Sequence, residues 1–124
     1  MRLLSKAAVH ISSSTISVAL SERLTADHAS AGQHFVAAPV FGRPDVAAAG
    51  ELSVIATGSK EAIEATKSLL AAIGKRTFMI SEAPKAANLV ELSGNFLIAS
   101  VIESVGEATA LVSSLAGYPN PHQR

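Results

Sequence analysis

A chain of 124 residues is long enough for one small domain, and with 48% of its residues hydrophobic it is a folding sequence, not a disordered one. Ten basic and ten acidic residues cancel to a formal net charge of zero, so no electrostatic field nominates nucleic acid or an anionic membrane as a partner. Absence of cysteine excludes disulfides, a thiol nucleophile and cysteine metal sites.

The opening MRLLSKAAVHISSS has two basic residues but no sustained apolar core, which makes a poor secretory leader, and a cytoplasmic protein is expected. AAVHIS (7–12) suits a short buried strand, and the Ser/Thr cluster after it can cap a helix. From about residue 17 to 31, Leu20, Leu24 and Ala31 lie at helical spacing and Gly32 marks the stop. HFVAAPV (34–40) predicts a second strand, and FGRPDVAAAG after it a turn-rich loop. LSVIATG (52–58) predicts a third strand. Ser59 is placed to cap the next helix, on which Ile63, Thr66, Leu69, Leu70 and Ile73 trace one face up to Gly74 as its terminal residue.

RTFMIS (76–81) predicts a fourth strand, EAPKAA leads into a long apolar helix from Asn88, and GYPNPHQR (117–124) is a polar tail. The long helix is apolar enough to tempt a membrane assignment. Glu91, Asn95, Glu103 and Glu107 interrupt it, however, and a central carboxylate costs several kcal/mol in lipid, so a buried or interface helix is expected. The order β-α-β-β-α-β-α predicts an α/β fold of about four strands, mostly parallel, covered by helices.

Three segments can carry chemistry. SSSTIS follows the first strand, where hydroxyls could hold a ribose or phosphate, although plain helix capping by Ser14, Thr15 or Ser17 is the simpler reading of the spacing. In APVFGRPD, Gly42 permits close backbone approach and Arg43 could pair with an anion, although a surface turn with a solvated arginine is the plainer reading of these residues. In NLVELSGNF, Asn88, Glu91 and Asn95 fall on one helical face, either a polar site or the edge of an exposed side. His10, His28, His34 and His122 have no metal-ligand spacing, and no P-loop, GxSxG or GxGxxG occurs in the chain.

Taken in order, SSSTIS, FVAAPVFGRPDVAAAGELSVIATG, LLAAIGKRTFMIS and NLVELSGNFLIAS resemble the β-hydroxyacid dehydrogenase family, which includes 3-hydroxyisobutyrate dehydrogenase and 6-phosphogluconate dehydrogenase-like enzymes. The likeness covers about residues 7–111, and the match of four segments in order is more specific than any one of them. It implies the second half of a Rossmann-like NAD(P)-binding domain (1–83) and a long interdomain helix (84–116). It further implies NADP or NAD as cofactor and a small hydroxy acid or carbonyl compound as substrate. Ser14 and Thr15 would lie at the nicotinamide or its ribose. Phe41, Gly42 and Arg43 would border the substrate, with Gly42 presenting backbone to its carboxylate, and Asn95 matches a substrate-binding asparagine.

The departures are specific. Glu91 stands where the family has its catalytic lysine, whose ammonium donates a proton as hydride arrives; an ionised carboxylate has none to give. Phe41 replaces a serine and Val18 a proline, and Lys85 lies six residues before Glu91, about 600° around a helix, and so on another face. The glycine-rich dinucleotide turn and the helical C-terminal domain are not represented. An inactive fragment of an oxidoreductase is therefore expected, with an imine reductase-like fragment or a non-catalytic interaction module as alternatives. The long helix is expected to pair two copies through residues 88–115.

Overall fold

The computed structural model describes residues 4–116, so the expected polar tail and His122 lie outside the described residues. The elements run β1 (Val9–Ser12), α1 (Val18–Ser30), β2 (His34–Ala37), β3 (Val40–Phe41), α2 (Pro44–Ala48), β4 (Leu52–Thr57), α3 (Lys60–Ile73), β5 (Gly74–Ser81) and α4 (Lys85–Ala116). They form two compact units, Met1–Leu92 and Ser93–Arg124.

Helix starts follow side-chain caps. Ser17 accepts the Leu20 amide at 3.1 Å and Ser59 accepts the Ala62 amide at 3.3 Å, each supplying one orphan donor of a first turn with an acceptor. After α1 the chain turns through Gly32 at φ +68°, as its position after the last apolar residue predicts. Gly74 behaves differently from the expected terminal turn. Its φ of −140° is extended and it opens β5 directly. A Cβ there would sit 2.6 Å from Val54 Cγ2 and 2.7 Å from the Leu52 carbonyl oxygen, so glycine serves the close approach of β5 to β4.

The α/β fold is the expected one, and its sheet has five strands in place of about four, with short antiparallel pairings beside the two longer parallel ladders. β1 runs parallel to β2 and β4 parallel to β5, whereas β2 and β3 both run antiparallel to β4. The reason is the connection. Between β3 and β4 the chain has only the five-residue α2, too short for the crossover that a parallel return requires. The fifth strand arises because Pro39 interrupts the single run expected at 34–40. Even so, Ala37 opposite Thr57, Val40 opposite Val54 and Phe41 opposite Ser53 keep one unbroken register, and the Pro39 carbonyl still accepts the Ile55 amide at 3.0 Å.

Alternation along the strands sorts two apolar layers. Val36, Ala38, Val54 and Ala56 pack on one face with Ala62, Ile63 and Leu70 of α3. Phe35, Ala37 and Ile55 face the other way, with Ala87 of α4 and the half-buried Ile16, Leu24 and Phe41 against them.

In the first unit, Pro84, Ala87, Asn88 and Glu91 form a buried stripe at helical spacing, while Leu89 and Val90 are exposed. Thr57 Oγ1 donates to the Pro84 carbonyl at 2.9 Å and anchors this start of α4 to β4. In the second unit, Phe96, Leu97, Ile98, Val101, Ile102, Val105, Leu111, Val112 and Leu115 are each more than half exposed. Ser100, Ser104, Thr109 and Ser114 turn their hydroxyls back onto carbonyls of the same helix, which leaves the surface apolar. By length and composition alone Lys85–Leu115 would suffice to cross a membrane.

Candidate functional site

Two of the three candidate segments meet through a hydrogen bond. Thr15, on the loop between β1 and α1, donates its hydroxyl to Glu91 Oε1 on α4 in a short contact. Thr15 is exposed and Glu91 is only 3% exposed, so the hydroxyl stands on the solvent side of a buried carboxylate. The third segment joins them by packing: Phe41 of β3, Ile16 of the loop and Ala87 of α4 share one apolar cluster. A strand, the β1–α1 loop and a helix are thereby held around one patch of sheet.

Buried polar atoms here lack partners. Among the described residues, Asn88 is fully buried with neither Oδ1 nor Nδ2 hydrogen-bonded, and Glu91 Oε2 is equally unused. None of the ion pairs among the described residues reaches Glu91. The polar stripe read in the sequence is thus real for Asn88 and Glu91, and Glu91 does not begin an exposed side. Asn95 lies on the same helical face one turn later but is exposed, because the buried stripe ends at Glu91.

Ser14 is exposed beside Thr15. Gly42 has φ +151°, a conformation that favours glycine, and a Cβ on it would also displace the Leu52 Cδ2 methyl, 2.5 Å away. Arg43 is exposed and forks onto Asp45 through Nε at 3.3 Å and Nη2 at 3.1 Å, a pair formed at the start of α2. A hollow of about 560 Å³ at the far ends of β4 and β5, bordered by Gly58, Lys60 and Ser81, shares none of these residues.

Spacing gave no hint of a second polar cluster. His10 Nδ1 lies 3.0 Å from His28 Nε2, and both rings pack on Phe35, with centroids 5.3 and 5.5 Å away. His28 is buried and its Nδ1 is 2.7 Å from the Leu24 carbonyl, which can only accept. In neutral His28, Nε2 is then the acceptor and His10 Nδ1–H the donor. Burial, and secondarily the neighbouring His28, hold His10 below the ordinary histidine value. The only sequence signal for this pair is the strand-to-helix order that brings β1 and α1 side by side.

The sequence pattern of the NAD binding domain of 6-phosphogluconate dehydrogenase matches residues 1–81, about two thirds of the chain. The chain belongs to this family. A relative from Bacillus subtilis, the uncharacterized oxidoreductase YfjR, is 48% identical over 100 residues, covering 81% of this chain and 35% of its own length. L-threonate dehydrogenase of Escherichia coli O6:H1 is 33% identical over 107 residues, covering 86% of this chain and 35% of its own. The crystal structure of 3-hydroxyisobutyrate dehydrogenase from Salmonella typhimurium superposes with a TM-score of 0.84 at 31% identity, over 91% of this chain and 40% of that one. The chain therefore spans little more than a third of the length of the relatives it matches.

A dinucleotide fits the residues present at one end. The exposed Ser14 and Thr15 carry hydroxyls of the kind that hydrogen-bond a ribose or an amide, whereas the unpartnered atoms of Asn88 and Glu91 are buried. No glycine-rich strand-to-helix turn occurs in the sequence to receive a pyrophosphate.

Proposed function

We propose that this chain supplies the nicotinamide and substrate end of an NAD(P)-dependent oxidoreductase acting on a small hydroxy acid or carbonyl compound. The observation that carries the reading is the Thr15–Glu91 hydrogen bond, which joins the cofactor-type loop to the helix position held by a catalytic lysine in the resembling family. When bound, the dinucleotide gives or takes the hydride.

Ser14 and Thr15 orient its nicotinamide end. Glu91 fixes the Thr15 hydroxyl through Oε1 and, being acceptor-only when ionised, does not replace a lysine as proton donor. Phe41 shapes the substrate side, Gly42 offers backbone, and Arg43 exchanges Asp45 for a substrate anion. The protein is assigned to the cytoplasm.

On its own the chain is expected to turn over no carbonyl compound. Loss of general acid catalysis is worth about 10²–10⁴-fold, and without a pyrophosphate site the advantage of a positioned hydride donor is lost as well. Titrating the pure chain with NADH and NADPH tests the reading. Weak binding is expected, with nuclear magnetic resonance shifts at Ser14 and Thr15. Shifts elsewhere only, or reduction of short semialdehydes or 2-oxo acids by the chain, would overturn it.

A second reading rests on a separate observation, the run of exposed apolar side chains from Phe96 to Leu115. A patch of this kind marks an association surface. Two copies paired about a two-fold axis through residues 88–115 would cover it, with Ser93, Gly94 and Ala99 small enough for close approach.

A further inference from the structure

β4 and β5, parallel neighbours in the sheet, send the chain to opposite faces. After β4 it passes into α3, whose Ile63 and Leu70 pack with Val54 and Ala56. After β5 it passes into α4, whose Ala87 packs with Ile55 on the other face. Parallel strands that diverge in this way leave a crevice outside their carboxyl ends, the usual place for a ligand in an open α/β sheet. The hollow of about 560 Å³ lies in that crevice, and its volume falls within the range of small-molecule sites, about 300–1,000 Å³. Both strands run opposite to β1, so their carboxyl ends point away from the Ser14–Thr15 loop, and the hollow shares no residue with the dinucleotide end.

Its lining is of two kinds. Ile63 and the exposed Met79 give it an apolar floor. Charged side chains of both signs stand around that floor: Lys60 at the start of α3, Glu64 one turn later, and Glu82 just beyond β5. Lys60 Nζ lies 3.4 Å from Glu82 Oε1, a pair that reaches from one strand's exit to the other's. Glu64 is already shared with Lys67, also at 3.4 Å. Lys60, Glu64 and Glu82 stand in solvent, where ammonium and carboxylate groups carry their charge at pH 7. A lone anion would meet two carboxylates here, and a lone cation would meet the Lys60 ammonium. A molecule with both charges on neighbouring groups exchanges the one long Lys60–Glu82 contact for two, carboxylate on Lys60 and ammonium on Glu82.

We propose that this hollow binds an α-amino acid with an apolar side chain. The side chain lies on Ile63 and Met79, and the amino and carboxylate groups part the Lys60–Glu82 pair. Met79, unbranched and adaptable, accepts side chains of more than one shape. The site is independent of the oxidoreductase reading and stands or falls apart from it.

The test titrates the isotope-labelled 124-residue chain at pH 7 and fixed ionic strength with L-phenylalanine, 2-phenylethylamine, 3-phenylpropionate and glycine. The first three share an aromatic body and differ in charge, whereas glycine keeps both charges without the body. L-Phenylalanine is expected to give saturable shifts of the Ile63 and Met79 methyl groups and of the Lys60 amide. 2-Phenylethylamine should bind about two- to fivefold more weakly, the effect of losing one solvent-exposed ion pair. 3-Phenylpropionate should be weaker still, because it keeps Lys60 but faces two carboxylates. Glycine should fall at least about tenfold below L-phenylalanine for want of apolar burial. Lys60, Met79 and Glu82 are exposed, so substitutions there leave the fold intact. Lys60→Gln should erase the difference between L-phenylalanine and the amine, and Met79→Ser should weaken all three aromatic probes together. No saturable response to L-phenylalanine, equal affinity for the three aromatic probes, or shifts confined to Ser14 and Thr15 would overturn the proposal.

Discussion

The first two turns of α4 and the turns after Leu92 are built from similar residues but invert each other. In the early turns the buried face carries Asn88 and Glu91 while Leu89 and Val90 are left in water. In the later turns the apolar side chains are exposed and the hydroxyls are bonded to their own helix. Composition does not decide which side chains are covered; the neighbouring surface does. Where a strand end and a loop stand opposite, polar groups are enclosed at a cost, and such a cost is retained where a site has use for it.

The contrast is broken most strongly in the later turns. If those residues pair two copies, Ile102→Glu places a charge twice in a two-fold interface and removes two buried side chains. Association should weaken by about 3–6 kcal/mol, or at least about 100-fold. Light scattering at micromolar concentration checks this, and an unsubstituted chain that runs as a clean monomer of 12.7 kDa removes the association reading altogether.

The early turns should respond in the opposite sense. Glu91→Leu replaces a carboxylate whose Oε2 is buried and unpartnered, and leaves Thr15 facing solvent, where water satisfies it. Stability should rise by about 1–3 kcal/mol. A urea midpoint that falls in this variant would mean that the Thr15 contact outweighs the burial of the unpartnered oxygen.

Much of this contrast was legible beforehand and part was not. Ser17, Gly32 and Ser59 announced helix ends because capping acts within three residues, a range that sequence exposes directly. Strand positions followed from apolar runs. Strand direction did not, because FGRPDVAAAG reads as a loop whether the chain crosses over or turns back. Gly74 ends α3 as expected, but its extended conformation was not legible, since the demand on it comes from Leu52 and Val54, twenty or more residues away. The polar stripe of α4 could be read from spacing, but where its burial ends depends on where the strands end. His10 and His28 are joined across eighteen positions by no periodicity at all.

The histidine pair gives the smallest expected effect. Because His10 is held below its ordinary value, the unfolded chain binds its proton more readily. The contribution of His10 is complete above the unfolded histidine value of about 6.5 and is lost as pH falls through the lower folded value. Urea midpoints measured from pH 7 down to pH 5 should therefore decline, and His10→Phe should flatten that decline. Identical slopes in the two proteins would assign the pH dependence to other groups.

The junction at Gly74 constrains the chain in another way. α3 ends at Ile73 and β5 begins at the next residue, with no intervening loop. Inserting or deleting one residue within α3 would turn everything after it by about 100° around the helix axis. The same change would exchange the two faces of β5. Most helix-to-strand connections have a few loop residues that absorb such slips. Here the count from Ser59 to Gly74 is locked, so length variation among related chains belongs in the Gly42–Gly50 turn, and α3 acts as a fixed ruler between the two strands it joins.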